Sequence, residues 1–125
     1  MNKPRIGLVG VGLMGHGIAL NIARKGYALA VLEHPGNQPL DELRALGVTS
    51  AATVRALARQ VEVLILCVTG SPQVEAVLLG EQGALAALRP GTVVIDCSTA
   101  IPTSTEAVAR AVAAAGGRFL DAPMT

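Results

Sequence analysis

The stretch Arg5-Ile-Gly-Leu-Val-Gly-Val-Gly-Leu-Met-Gly15 decides how the rest of the chain is read. A short apolar run, Ile6 to Val9, opens directly into Gly10-x-Gly12-x-x-Gly15, and a helix-like stretch follows from Leu13 to Lys25. Strand, glycine turn and helix in that order form a cradle for a dinucleotide pyrophosphate. The first glycine permits the tight turn, the second lets the backbone approach the phosphates, and the third lets helix and strand pack closely. The helix N-terminus adds free N–H groups and a partial positive charge. Such a glycine pattern is common, so its meaning depends on what surrounds it.

What surrounds it is an alternation of strand and helix signals. Strands are expected at Arg5–Val9, Ala28–Glu33, Val63–Val68, Thr92–Asp96 and Arg118–Asp121. Two of them, Val63-Leu-Ile-Leu-Cys-Val68 and Thr92-Val-Val-Ile-Asp96, are almost continuously apolar, as parallel strands covered on both faces are. Helices are expected at Leu13–Lys25, Leu40–Leu46, Thr53–Gln60, Pro72–Leu79 and Pro102–Ala115, with a turn near Gly83–Leu88. Gly26 and Gly116 stand where C-caps belong. Residues 47–52 carry only a poor signal for an extra strand. Alternation of this kind predicts an α/β fold, a Rossmann-type doubly wound parallel sheet with right-handed crossovers.

Size and composition agree. The 125 residues suit a single domain spanning 1–125, large enough to bury a core. Half of the residues are hydrophobic, yet Tyr27 and Phe119 are the only aromatics. A net charge of +1 argues against a nucleic-acid partner. Lys3, Arg5 and Ala28-x-Ala30 have the outline of a signal peptide, but glycines interrupt the apolar stretch and Arg24-Lys25 precede the supposed cut. No apolar segment is long enough to span a bilayer. A cytoplasmic location is expected, with Cys67 and Cys97 as free thiols at the ends of neighbouring strands.

The second expected strand ends at Glu33, twenty-three positions after Gly10. An acidic side chain there accepts hydrogen bonds from the adenosine ribose of NAD and repels the extra phosphate of NADP. His34 beside it softens that preference. Ligands of open parallel sheets bind outside the strand carboxyl ends, which singles out Cys67-Val-Thr-Gly-Ser71 and Asp96-Cys-Ser-Thr99. Ser71 reads equally as a helix cap or a ligand group, and Thr103 reads as a cap. Thr99 follows its strand too closely to cap the next helix, which favours a ligand role. His16 reads as a solvent-facing residue of the first helical turn.

With these residues assembled, the chain resembles the N-terminal domain of the β-hydroxyacid dehydrogenase family, which includes 3-hydroxyisobutyrate dehydrogenase and tartronate semialdehyde reductase and is related to 6-phosphogluconate dehydrogenase. The resemblance rests on Gly7-Leu-Val-Gly-Val-Gly-Leu-Met-Gly15, Ala19-Leu-Asn21, Gly26-Tyr27, Ser71-Pro-Gln-Val-Glu-Ala-Val-Leu-Leu-Gly80, Asp96-Cys-Ser-Thr99-x-x-Pro102 and Asp121-Ala-Pro123, in that order along nearly the whole chain. It implies that Gly10, Gly12, Leu13, Met14 and Gly15 hold the pyrophosphate through their backbone. Glu33 and His34 then face the adenosine ribose, while Val68, Thr69 and Gln73 line the nicotinamide side. Thr99 sits near nicotinamide and substrate. It implies NAD as cofactor, with NADP as the alternative, because the family usually carries Asp-Arg or Asn-Arg where this chain has Glu33-His34.

The implied activity is hydride transfer between a nicotinamide and a small 3-hydroxy acid or its semialdehyde. A stand-alone dinucleotide-binding module without enzymatic activity and an imine-reducing member of the same family are the alternatives. The family's glycine-rich substrate loop, catalytic lysine and all-helical substrate domain all follow Asp-x-Pro, and this sequence reaches only Thr125. The expectation is therefore a cofactor-binding domain without its own catalytic residue. Apolar surface is expected near Asp121–Thr125 and on the last helix, which invites homo-oligomers.

Overall fold

Strands β1 (Ile6–Val9), β2 (Leu29–Leu32), β3 (Thr49–Ala51), β4 (Val63–Leu66), β5 (Val93–Asp96) and β6 (Arg118–Asp121) pair in parallel throughout, in the spatial order β3-β2-β1-β4-β5-β6. A computed structural model describes residues 3–80, 83–98 and 101–122. The crossovers carry α1 (Leu13–Arg24), α2 (Asp41–Ala45), α3 (Val54–Gln60), α4 (Ser71–Leu79) and α5 (Pro102–Ala114), with a 3-10 turn at Ala84–Ala87. From β1 the chain winds outward to β2 and β3, then returns to lay β4, β5 and β6 on the other side. That is the doubly wound order, with its reversal between β1 and β4.

Each strand sends alternate side chains to two cores. Val9, Leu64, Leu66 and Val94 join the layer under α3, α4, α5 and the 3-10 turn. Leu8, Val31 and Ile65 join the layer under α1 and α2. Leu8, Leu64, Leu66 and Val94 are fully buried, so removing any one side chain to Ala costs about 2–5 kcal/mol. Burial on both faces is why these strands read as unbroken apolar runs.

β3 is the element with the weakest sequence signal. Thr49-Ser-Ala51 has only one buried residue and no alternation. It exists because Ala30, Val31 and Leu32 of β2 offer it a free edge in register. Two expected caps are corrected. α4 begins at Ser71 itself, with Gly70 at the N-cap, and α5 begins at Pro102 with Ile101 at the N-cap, which places Thr103 inside the helix. Neither helix has a side-chain cap. Thr53 does cap α3, its Oγ1 accepting the Ala56 N–H at 3.1 Å.

At the end of the sheet away from the glycine turn, Arg5 is tied to Glu62. Arg5 Nε donates to Glu62 Oε1 at 3.0 Å and the Arg5 N–H to Oε2 at 3.2 Å. These bonds hold the Glu62 carboxyl below its usual range. The other edge strand, β6, exposes more than half of Leu120, in keeping with the apolar surface expected there. Residues 123–125 lie outside the described residues. No helix among the described residues is long and apolar enough to cross a membrane.

Candidate functional site

β1 stops where the sheet order reverses, and the chain must turn sharply to enter α1. Gly10 makes that turn at φ +99°, and a Cβ there would overlap the Cys67 carbonyl oxygen. A Cβ at Gly15 would overlap the Gly10 carbonyl oxygen. Both are excluded by the protein's own packing. Gly12 is different: a Cβ there would meet nothing within 4 Å. The fold does not need glycine at position 12. Without a side chain, its backbone stays open to the space above the turn.

Gly12 is also the N-cap of α1. It brings no side chain to the helix end, and the first turn carries no acidic residue. The first helical bond runs from the His16 N–H to the Gly12 carbonyl at 2.8 Å. Helix geometry leaves the preceding N–H groups, at Leu13, Met14 and Gly15, facing outward. Backbone donors at a dipole's positive end, with no competing carboxylate, suit a pyrophosphate. His16 corrects the solvent-facing expectation: it is only one-fifth exposed and lies 4.0 Å from Glu42 Oε1 on α2.

A cleft of about 600 Å³ opens over this turn. Its floor is Val9 to Gly15. Leu13 and Met14 stand exposed at its lip, 81% and 58% accessible. The β2 side of the cleft is formed by Leu32, His34, Gly36 and Asn37. The β4 side is formed by Cys67, Val68, Thr69, Gln73, Ala76 and Val77. So Gly10, Gly12, Leu13, Met14, Gly15, His34, Val68, Thr69 and Gln73 all meet in one cavity. Thr99 lies outside the described residues.

Glu33 lines an adjoining cavity of about 440 Å³ instead. His34, Asn37, Gln38 and Arg44 share that cavity with it. His34 and Asn37 line both cavities, so the two are neighbours at the end of β2. Asn37, Gly36 and Arg44 were not among the residues singled out from sequence. The Pro35-Gly-Asn37 turn cluster directly after the strand was the available signal for the first two. Arg44 comes from α2, and only the packing of that helix beside β2 brings it here.

The loop after β2 is held by short-range bonds. Asn37 Nδ2 donates to the Leu32 carbonyl at 2.9 Å, and the Gly36 N–H donates to His34 Nδ1 at 2.9 Å. That bond makes Nδ1 an acceptor, so a neutral His34 carries its proton on Nε2. The Gln38 N–H then reaches the Val11 carbonyl at 2.7 Å and ties the loop to the glycine turn.

The loops after β4 and β5 are held by long-range bonds. The β4–β5 ladder ends with the Cys97 N–H donating to the Leu66 carbonyl at 2.8 Å. Beyond it the Val68 N–H donates to Ser98 Oγ at 2.8 Å, and the Ile101 N–H donates to Ser71 Oγ at 2.8 Å. Buried Asp96 accepts the Ser98 N–H on Oδ1 at 2.9 Å, while its Oδ2 has no partner among the described residues. Ser71 is thus not the N-cap, and its hydroxyl accepts an amide from the neighbouring loop. Cys67 and Cys97 carry free thiols. Burial pushes both thiols up, and the Asp96 carboxylate adds to the effect.

No cluster of three metal-binding side chains occurs among the described residues. The two lysines stand together away from the cleft: Lys3 Nζ donates to the Lys25 carbonyl at 2.6 Å and lies 4.9 Å from the Tyr27 ring centroid.

Comparison with known proteins points the same way. Residues 5–125 match the family model described as the NAD binding domain of 6-phosphogluconate dehydrogenase. The chain is 37% identical over 121 residues to 2-hydroxy-3-oxopropionate reductase of Escherichia coli, covering 97% of this chain and 41% of that protein. It is 35% identical over 121 residues to the NAD-dependent L-serine dehydrogenase of Pseudomonas aeruginosa, covering 97% of this chain and 40% of that one. Among solved structures, 3-hydroxyisobutyrate dehydrogenase from Salmonella typhimurium superposes with a TM-score of 0.88 at 31% identity, over 98% of this chain and 42% of that chain. The chain therefore spans about two-fifths of the length of the relatives it matches.

Proposed function

The chain belongs to the family of NAD-binding domains of 6-phosphogluconate dehydrogenase, and from that premise we propose that it is the cofactor-holding part of an oxidoreductase acting on a small 3-hydroxy acid or its semialdehyde. Bound nicotinamide supplies the hydride chemistry. The chain's own residues bind and orient. The backbone N–H groups of residues 12–15 receive the pyrophosphate. Glu33 and the 34–38 loop take the adenosine ribose, and Val68, Thr69 and Gln73 shape the nicotinamide side. We assign Thr99 to the same side from its family position.

Gly12 is the observation that carries this reading, because no neighbouring atom excludes a side chain there, and glycine both starts the helix and keeps its backbone open to a ligand. Neither Lys3 nor Lys25 is placed to move a proton at a substrate hydroxyl, so that group is assigned to the rest of the parent enzyme. The exposed apolar side chains of Leu120 and Ile101 fit a surface covered there by a further domain or a second copy.

Glu33 selects NAD over NADP by charge repulsion, and Arg44 in the same cavity offsets part of that repulsion. Calorimetric titration tests this. The wild-type chain binds NAD more tightly than NADP. Glu33→Ala weakens NAD by about three- to ten-fold, as expected for the loss of a hydrogen bond of ordinary net worth at an open site, and narrows the gap to NADP. A wild-type chain that binds neither nucleotide sinks the reading.

A further inference from the structure

Where β4 and β5 diverge, the ladder is replaced by a reciprocal pair of serine bonds. Each loop gives one hydroxyl and one amide to the other: Ser98 Oγ accepts from Val68, and Ser71 Oγ accepts from Ile101, each across 30 residues of sequence. Both serines are buried, at 3% and 8% exposure, on a surface where most hydroxyls face water. Ser98 is in turn oriented by Asp96, which is 1% exposed and receives the Ser98 N–H. Val68, the residue whose amide is held, forms part of the β4 wall of the cleft. The spacing of the two loops therefore sets the position of that wall.

We propose that Ser71 and Ser98 are positioning residues for the nicotinamide half of the cofactor, acting through the Val68–Thr69 backbone. The inference rests on the cofactor reading above. Glu33 places adenosine on the β2 side, so the nicotinamide end of a dinucleotide laid across the glycine turn falls against Val68 and Thr69. A hydroxyl–amide bond fixes distance and direction where an apolar contact fixes neither. The two bonds are unequal. Removing either hydroxyl strands a part-buried amide, but the Ser98 bond holds Val68 of the cleft wall itself, whereas the Ser71 bond acts one step further away through Ile101.

ADP-ribose keeps the adenosine, pyrophosphate and second ribose but lacks the nicotinamide, so it separates positioning from general stability. The test titrates the wild-type chain, Ser98→Ala, Ser71→Ala and Ser98→Thr with NADH and ADP-ribose, and follows the nicotinamide fluorescence of bound NADH. Ser98→Ala weakens NADH about five-fold and Ser71→Ala about two-fold, while ADP-ribose binding stays within about two-fold of wild type. Both Ala variants lower the fluorescence change on binding, and Ser98→Thr, which keeps the hydroxyl, restores it. Equal losses for both ligands, or unchanged NADH binding and fluorescence, overturn the positioning role and leave the cofactor reading standing. A wild-type chain that fails to bind ADP-ribose overturns the cofactor reading and this role with it. If Ser98→Ala does not fold, Ser71→Ala decides the matter by the same selectivity.

Discussion

The two walls of the cleft are built by opposite means. The side-chain bonds of the β2-side wall are local, spanning two and five residues at His34 and Asn37, with one backbone bond from Gln38 to Val11 tying the loop to the glycine turn. The β4-side wall is tied to a loop on the next strand, with both serine bonds spanning 30 residues. The first can form as soon as β2 is laid down. The second needs β4 and β5 already paired, because neither hydroxyl meets its amide otherwise. On the proposed reading, the adenosine end rests mainly on one segment, to which α2 adds Arg44. The nicotinamide end depends on the register of the sheet.

The largest expected effect falls on the turn both walls share. Gly10→Ala places a Cβ on the Cys67 carbonyl at a φ that L residues avoid, and costs at least about 3 kcal/mol of stability by chemical denaturation. Gly12→Ala has open space and loses only the modest N-cap advantage of glycine, far less than Gly10→Ala costs, yet loses about ten-fold in NAD affinity, the worth of one charge-assisted bond to phosphate. If both variants behaved alike, folding and binding would not divide between these glycines as their surroundings require.

A smaller effect separates the walls. Asn37→Ala removes the bond to the Leu32 carbonyl and costs about 1 kcal/mol. It weakens AMP and ADP-ribose as much as NADH, the reverse of the selectivity expected for the serines. An Asn37→Ala chain that lost NADH alone would break the comparison.

The smallest effect is kinetic. With burial holding their thiols above the ordinary value, Cys67 and Cys97 alkylate more slowly at neutral pH than an exposed cysteine, and the rate climbs with pH as the thiolate fraction grows. Since Cys67 forms part of the cleft, NAD slows its iodoacetamide reaction further, read residue by residue by mass spectrometry. Protection of Cys97 alone would place the cofactor elsewhere.

The glycine turn, the apolar strands β4 and β5, and the acid at the end of β2 were legible because each is a local requirement. A tight turn needs Gly10, a strand covered on both faces needs continuous apolar residues, and a ribose needs an acceptor one crossover later. β3 was nearly illegible, because Thr49-Ser-Ala51 has no pattern of its own and takes its conformation from a neighbour's free edge. Ser71 and Thr103 looked like caps for the opposite reason: their types fit a local role, and the helices began elsewhere.

By itself, then, the sequence determined the fold class and the cofactor class, since periodicity and turn chemistry act over a few residues at a time. Only the tertiary structure showed at which glycines the packing excludes a side chain and at which it leaves space open. It alone brought Arg44 from α2 to the cavity of Glu33, and gave Ser71 and Ser98 to each other's amides rather than to helix ends. Those are contacts across elements, and they exist only once parallel strands, joined by crossovers of many residues, stand side by side.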